Sequence, residues 1–157
     1  MWTLIKSLQY VVDKTIQILY SLRHATDESC IPVQLLQGLT IMYNILVIDD
    51  EKAIGLLLTK ILSKYGYHVE TALDGLEGIR KFDESDFDMV ITDIRMPGLD
   101  GNGVIKHIRE SKKRLTPVVG LSGTPWLLDA QNFDAVLSKP SSIKAIIDTV
   151  TSNLRPH

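Results

Sequence analysis

From residue 43 onward the chain alternates short apolar runs with amphipathic segments. The apolar runs span four or five residues and end in turn residues, a pattern typical of fully buried strands. We predict strands at residues 45–48, 68–72, 89–92, 118–121 and 135–137. The amphipathic segments predict helices at residues 52–65, 75–82, 102–110 and 143–154, the last capped by Ser141 or Ser142.

This alternation predicts an α/β fold. Strands separated by helices form a parallel sheet with right-handed crossovers. We predict a doubly wound (βα)5 sheet in the flavodoxin-like order 2-1-3-4-5, in which strands one and three are neighbours at the switch point. Ligands bind such sheets at the carboxyl ends of the strands.

A separate apolar stripe precedes this pattern. Residues 3–23 predict an amphipathic helix whose stripe spans about 160°, wider than a coiled-coil seam. Its nine apolar members are Leu4, Ile5, Leu8, Val11, Val12, Ile16, Ile18, Leu19 and Leu22. We expect this stripe to pack on its own domain, on a second copy through self-association, or on another protein. Binding to a membrane surface ranks lower, because the polar face carries few Lys and Arg residues.

The domain organisation follows from these two patterns. Residues 1–41 form an N-terminal helix and linker, and residues 42–157 form the α/β domain. Met42 directly precedes the first strand, so an alternative interpretation is that residues 1–41 are a non-native extension.

The composition argues against nucleic-acid binding, an internal disulfide and membrane insertion. The net charge of −2 and the absence of a Lys/Arg-rich block argue against direct nucleic-acid binding. The single cysteine, Cys30, excludes an internal disulfide, and the four histidines are scattered along the chain. The chain has neither an 18-residue apolar run nor a signal peptide, which predicts a soluble cytoplasmic protein without membrane insertion.

Five polar residues stand at the predicted strand ends: Asp49, Asp50, Asp93, Ser122 and Lys139. Three carboxylates converging there would repel each other by about 4 kcal/mol per pair at 4 Å and an effective dielectric near 20. A hard divalent cation with oxygen ligands, most plausibly Mg²⁺, relieves this repulsion. Lys139 and the Ser122 hydroxyl add donors for a phosphoryl group.

Each of these residues also has an ordinary structural interpretation. Asp49 or Asp50 alone is more often a helix cap than a ligand, Ser122 a loop serine and Lys139 a solvated charge. The coincidence with Asp93 at one sheet edge favours a joint site.

Residues 43–154 resemble a receiver domain of the two-component response-regulator family. Four segments carry the resemblance: Ile48-Asp49-Asp50-Glu51, the motif T-D-I-R-M-P-G-L-D-G around Asp93, Leu121-Ser122-Gly123 and Ser138-Lys139-Pro140. The separations of 43 residues from Asp50 to Asp93 and 29 from Asp93 to Ser122 are normal for the family.

The resemblance implies a phosphoacceptor signalling domain rather than an enzyme. Asp93 would accept a phosphoryl group from a sensor histidine kinase or a histidine phosphotransfer protein, and the signal would pass by phosphorelay or by contact with an unknown downstream protein. Asp50, Asp93 and the Arg95 carbonyl would hold Mg²⁺, with Asp49 assisting through water. Lys139 would hold the phosphoryl group, and Ser122 would move towards it.

Two departures from the family concern signal output. Val136 occupies a position that is usually aromatic, so the aromatic rotamer switch is missing. The 17 residues from Ser122 to Lys139 are fewer than usual, which shortens the helix around Trp126. The chain also ends at His157, soon after the last helix, and we therefore expect a stand-alone receiver.

Two rival functions remain at this stage. A phosphatase of the haloacid-dehalogenase class also uses an aspartyl phosphate, but it needs a second acid where this chain has Arg95. An interaction module with vestigial phosphorylation is the other rival, which the intact acidic residues and Lys139 disfavour. As a structural corollary, we predict that Lys139-Pro140 is a cis peptide bond.

Overall fold

Five short apolar runs form one parallel sheet. The structure is a computed structural model and describes residues 42–124 and 132–154. The strands are β1 (Asn44–Ile48), β2 (His68–Ala72), β3 (Met89–Asp93), β4 (Val118–Ser122) and β5 (Ala135–Ser138), in the order β2-β1-β3-β4-β5. All four pairings are parallel, and the predicted flavodoxin-like order and class are therefore confirmed.

In the described residues, four helices connect or follow these strands. They are α1 (Lys52–Lys64), α2 (Gly75–Glu84), α3 (Gly101–Glu110) and α4 (Ile143–Asn153), each within two residues of its predicted ends. The predicted helix at residues 3–23, the linker to residue 41 and the shortened helix around Trp126 lie outside the described residues. No helix in the described parts of the chain combines the length and apolar character that crossing a membrane requires.

The sheet is buried on both faces because helices cover each side of it. Successive residues of β1 enter opposite clusters: Ile45 and Val47 pack with α1 and α4, whereas Leu46 and Ile48 pack with α2 and α3. Every residue of β3 is buried. This two-sided burial explains why the central strands β1, β3 and β4 are mostly apolar, whereas the edge strand β2 is half-buried and contains Glu70. Residues Met42–Leu154 cluster as one compact unit.

Short polar side chains define where three of the helices begin. The Asp74 carboxylate accepts a hydrogen bond from the Glu77 N–H at the start of α2, and Asp100 accepts one from the Gly103 N–H at the start of α3. Ser142, rather than Ser141, caps α4 by accepting from the Ala145 N–H. These caps fix the points at which the loops leave the carboxyl edge of the sheet.

A close backbone approach fixes the loop between β3 and α3. A Cβ atom added to Gly101 would lie 2.5 Å from the Asp93 carbonyl oxygen and 2.8 Å from the Ile94 Cα. Gly98 has a φ of +76°, a conformation that glycine adopts without steric cost. The loop therefore folds back tightly on the end of β3.

Candidate functional site

Sheet register brings the three carboxylates together. Ile48 of β1 pairs with Thr92 of β3, so the next residues, Asp49 and Asp93, leave the sheet side by side. Asp49, Asp50 and Asp93 each offer an oxygen within 4.8 Å of the others. Asp49 and Asp93 are buried, and Asp50 is exposed at the mouth of the cluster.

Both oxygens of Asp49 already have protein donors. Its Oδ1 accepts a hydrogen bond from the Glu51 N–H at 2.9 Å, and its Oδ2 lies 2.8 Å from the Lys139 Nζ. The helix-cap interpretation is not what the structure shows, since α1 begins after Glu51 with no side-chain cap. The Asp49 side chain is 0% exposed, so these contacts compensate a fully desolvated charge.

Lys139 bridges two of the carboxylates. Its Nζ lies 3.4 Å from Asp93 Oδ2, a longer contact than the one to Asp49. The Lys139 N–H donates to the Ser122 carbonyl oxygen at 2.7 Å, which extends the β4–β5 ladder by one step. The Lys139-Pro140 bond is cis, as predicted.

The pKa values of Asp93 and Lys139 reflect burial and their shared charges. Burial raises the pKa of the Asp93 carboxyl; Lys139 opposes this rise, but the neighbouring Asp49 carboxylate reinforces it, and the net pKa lies above its ordinary value. Burial alone would lower the pKa of Lys139, but the hydrogen bond to Asp49 and the charges of both carboxylates outweigh it and raise the pKa. The ammonium is thus held in its charged form.

Ser122 lies at the end of β4, one strand from Asp93. It is 2% exposed, and its Oγ accepts a hydrogen bond from the Thr124 N–H at 3.0 Å. In the described residues, then, four of the predicted residues (Asp49, Asp50, Asp93 and Lys139) form one cluster, and the Ser122 hydroxyl is bonded within its own loop.

The sequence did not predict several contacts around the carboxylates. The Glu51 and Arg95 backbone N–H groups donate to the carboxylates of Asp49 and Asp93, respectively. The Arg95 guanidinium reaches towards Gly123, where its Nη2 lies 4.0 Å from the position of an added Cβ. The path of a backbone loop determines such contacts, and residue type alone does not reveal that path.

The donor set of the cluster suits a hard divalent cation. Three carboxylates and a single ammonium leave a net negative charge, and carboxylate oxygens are the ligands that Mg²⁺ prefers. Burial is the main reason that the pKa of Asp93 is raised, and a cation among these oxygens would relieve the smaller contribution from the neighbouring Asp49 carboxylate.

Solved structures of known proteins share this fold. The chemotaxis protein CheY4 of Vibrio cholerae is 29% identical, with 72% of this chain and 99% of that chain covered at a TM-score of 0.68. The response regulator TrrA of Thermotoga maritima, solved in complex with Mg²⁺ and BeF, is 34% identical over 72% of this chain and 100% of its own, with a TM-score of 0.67. The receiver domain of the hybrid histidine kinase CckA is 31% identical over 71% and 99% of the two chains, with a TM-score of 0.61.

A family of known proteins also matches most of the described chain. Residues 45–151 match the family described as the response regulator receiver domain, from β1 into the last turn of α4. Apart from Asn44, the first residue of β1, the matched range contains all five strands, and it includes the carboxylate cluster and Lys139. The chain therefore belongs to the response regulator receiver domain family.

Proposed function

We propose that Asp93 accepts a phosphoryl group from a sensor histidine kinase or a histidine phosphotransfer protein, and that the phosphorylated domain signals by protein contact or by phosphorelay. One observation carries this proposal: the Asp93 carboxylate lies at the end of β3 among the other two carboxylates and within 3.4 Å of the Lys139 ammonium. A nucleophilic oxygen flanked by both cation ligands and a fixed positive charge is suited to phosphoryl transfer.

The step transfers the phosphoryl group from nitrogen to oxygen. An Asp93 carboxylate oxygen attacks the phosphorus of a phosphohistidine as the P–N bond breaks, which gives an acyl phosphate and releases the imidazole to take up a proton. The Arg95 N–H, which donates to the Asp93 carboxylate, and the close packing of Gly101 against the backbone of Asp93 and Ile94 hold Asp93 in place for this attack. Positioning and charge neutralisation do most of the catalytic work in phosphoryl transfer.

The proposed Mg²⁺ ligands are Asp50, Asp93 and the Arg95 carbonyl, with Asp49 acting through water. A bound Mg²⁺ supplies positive charge beside the phosphoryl oxygens. Asp49 suits an indirect role, because the Glu51 N–H and Lys139 already contact its two oxygens. The magnesium and beryllofluoride bound to TrrA support the same ligand chemistry here.

Lys139 and Ser122 complete the proposed site. The Lys139 ammonium contacts Asp93 and Asp49 together, so a small shift towards Asp93 brings it to a phosphoryl oxygen. The Ser122 hydroxyl would exchange its hydrogen bond from Thr124 for one to the phosphoryl group. Each residue then contributes a donor to the transferred group.

The proposal is tested by incubating the protein with acetyl phosphate and Mg²⁺ and measuring its intact mass. One phosphoryl group adds approximately 80 Da, and we expect this increase in the wild type but not in Asp93→Asn. The matched control is Asp86→Asn, which makes the same chemical change at a side chain that is 96% exposed. Labelling of Asp93→Asn at wild-type stoichiometry would exclude Asp93 as the acceptor. An unlabelled wild type that still captures partners would favour the interaction module with vestigial phosphorylation.

The N-terminal segment is a separate part of the proposal. We propose that residues 1–41 form a helix and linker outside the receiver domain, that the stripe at residues 3–23 mediates self-association or partner binding, and that the protein acts in the cytoplasm. Deleting residues 1–41 should then change the sedimentation profile or partner capture while Asp93 remains phosphorylatable. Unchanged profiles and capture would favour the non-native extension.

A further inference from the structure

The guanidinium of Arg95 lies near the end of β4 and has no partner among the residues that the structure describes. The residue is exposed, and within the described ranges 42–124 and 132–154 its guanidinium makes no ion pair or hydrogen bond. Its Nη2 extends from the loop after β3 to the loop after β4, near Gly123. Gly123 directly follows Ser122, so the guanidinium spans the gap between the ends of the two strands that carry Asp93 and Ser122.

The positive charge of the Arg95 guanidinium matters because of the charge balance in the site. The carboxylates of Asp49, Asp50 and Asp93 carry three negative charges, which Lys139 and a divalent cation balance. Phosphorylation converts the Asp93 carboxylate, with one negative charge, into an acyl phosphate with two. The phosphorylated site is therefore one positive charge short, in a partly buried environment where unbalanced charge is costly.

We propose that the Arg95 guanidinium balances this additional charge by binding an outward-facing oxygen of the phosphoryl group, and so stabilises the phosphorylated state. The inference rests on the proposed function of Asp93. A guanidinium offers several donors in a planar fork that matches phosphoryl oxygens. Because the side chain has no other partner, the move from the rim breaks no ion pair in the described structure.

The experiment measures the affinity for beryllofluoride, an anion that adds the same single negative charge to Asp93. The dissociation constant is determined by calorimetry at saturating Mg²⁺, and bound fluoride is observed by ¹⁹F NMR. Arg95→Gln should weaken binding by about fivefold to tenfold, the range between an exposed ion pair and a charge-assisted hydrogen bond. Arg95→Lys should recover most of the loss, because it keeps the charge.

Two matched variants test whether the effect on beryllofluoride affinity depends on the position of the positive charge. Arg114→Gln makes the same substitution in an exposed side chain on the loop before β4, at the opposite end of the sheet. Lys52→Gln removes an exposed cation two residues after Asp50. We expect less than a twofold change in each, and we expect the loss in Arg95→Gln to shrink as ionic strength rises, because the contact is exposed.

The outcomes separate this inference from the function on which it rests. If Arg95→Gln binds beryllofluoride within twofold of the wild type, or if Lys52→Gln loses as much affinity, the role of Arg95 is wrong while phosphorylation of Asp93 stands. If the wild type neither gains mass from acetyl phosphate nor binds beryllofluoride, the proposed function itself fails.

Discussion

The Lys139 ammonium lies closer to Asp49, at 2.8 Å, than to Asp93, at 3.4 Å. The shorter contact compensates the charge of the fully buried Asp49, and the longer one reaches Asp93, the proposed phosphoacceptor. We therefore expect Lys139 to have two roles: to stabilise the fold through Asp49 and, if Asp93 is the phosphoacceptor as proposed, to bind the phosphoryl group there.

Replacing Lys139 with Met should destabilise the protein in EDTA and slow phosphorylation by acetyl phosphate. Removing one partner of a buried ion pair costs about 3–5 kcal/mol, because the remaining charge stays desolvated. Thermal unfolding with and without Mg²⁺ measures the effect, and Mg²⁺ should restore part of the loss. Lys144→Met is the control, since that side chain is 84% exposed and forms an ion pair with Asp148 on the surface of α4. Equal melting temperatures for the two variants would contradict this prediction.

Asp93→Asn should raise the melting temperature at neutral pH in EDTA. The pKa of Asp93 is raised in the folded protein, mainly by burial, so ionising this carboxyl disfavours folding at pH values above that pKa. The penalty disappears as the pH falls below the unfolded value of about 4, where the group is protonated in both states. The difference between variant and wild type should therefore be largest near pH 7 and shrink towards pH 4. A difference independent of pH would point to a packing effect instead.

Magnesium should stabilise the wild type against unfolding, and Asp50→Asn should reduce this effect strongly. A ligand that binds only the folded state adds about 1.4 kcal/mol at ten times its dissociation constant. Asp50 is exposed, so its substitution leaves the core intact. Melting temperatures across a Mg²⁺ titration measure the effect, with Asp86→Asn as the control. A full Mg²⁺ response in Asp50→Asn would remove Asp50 from the ligand set.

Two glycine-to-alanine changes should act in opposite directions. In Gly101→Ala the new methyl group would lie 2.5 Å from the Asp93 carbonyl oxygen, so the loop must shift, at a cost of about 1–3 kcal/mol and with slower phosphorylation. In Gly55→Ala the nearest atom is the Thr71 Cγ2 at 3.6 Å, and alanine inside helix α1 should gain about 0.5–1 kcal/mol. Urea unfolding of both variants checks the pair. A Gly101→Ala protein as stable as the wild type would show that the loop relaxes freely.

Phosphorylation should couple weakly to dimerisation through β5 and the helix that follows it. The half-buried Val136 offers no aromatic rotamer to switch, and a bound group shifts a two-state equilibrium only by its differential affinity for the two states. Beryllofluoride and Mg²⁺ should change the fluorescence of the wild type, with Trp126→Phe identifying the responding residue, while light scattering shows no change in mass. Activation-dependent dimers that break on mutation of α4 would overturn this expectation.

The strands and helices of residues 42–124 and 132–154 could be predicted from the sequence, because strands buried on both faces of a parallel sheet form apolar runs between amphipathic helices. The strand order was predicted from the order common in doubly wound folds. The sequence also placed the five polar residues at strand ends, since the first polar residue after such a run leaves the sheet. Asp49 and Asp93 are 44 residues apart in the chain, yet the pairing of Ile48 with Thr92 makes them neighbours.

How these residues share their contacts could not be predicted from the sequence. Three features depend on loop paths: the closer contact of Lys139 with Asp49, the hydrogen bond from the Thr124 N–H to the Ser122 Oγ, and the position of the Arg95 guanidinium near Gly123. The two distances from the Lys139 Nζ, 2.8 Å to Asp49 and 3.4 Å to Asp93, follow from backbone geometry at the ends of three strands. A pattern of residue types along one chain does not encode such distances.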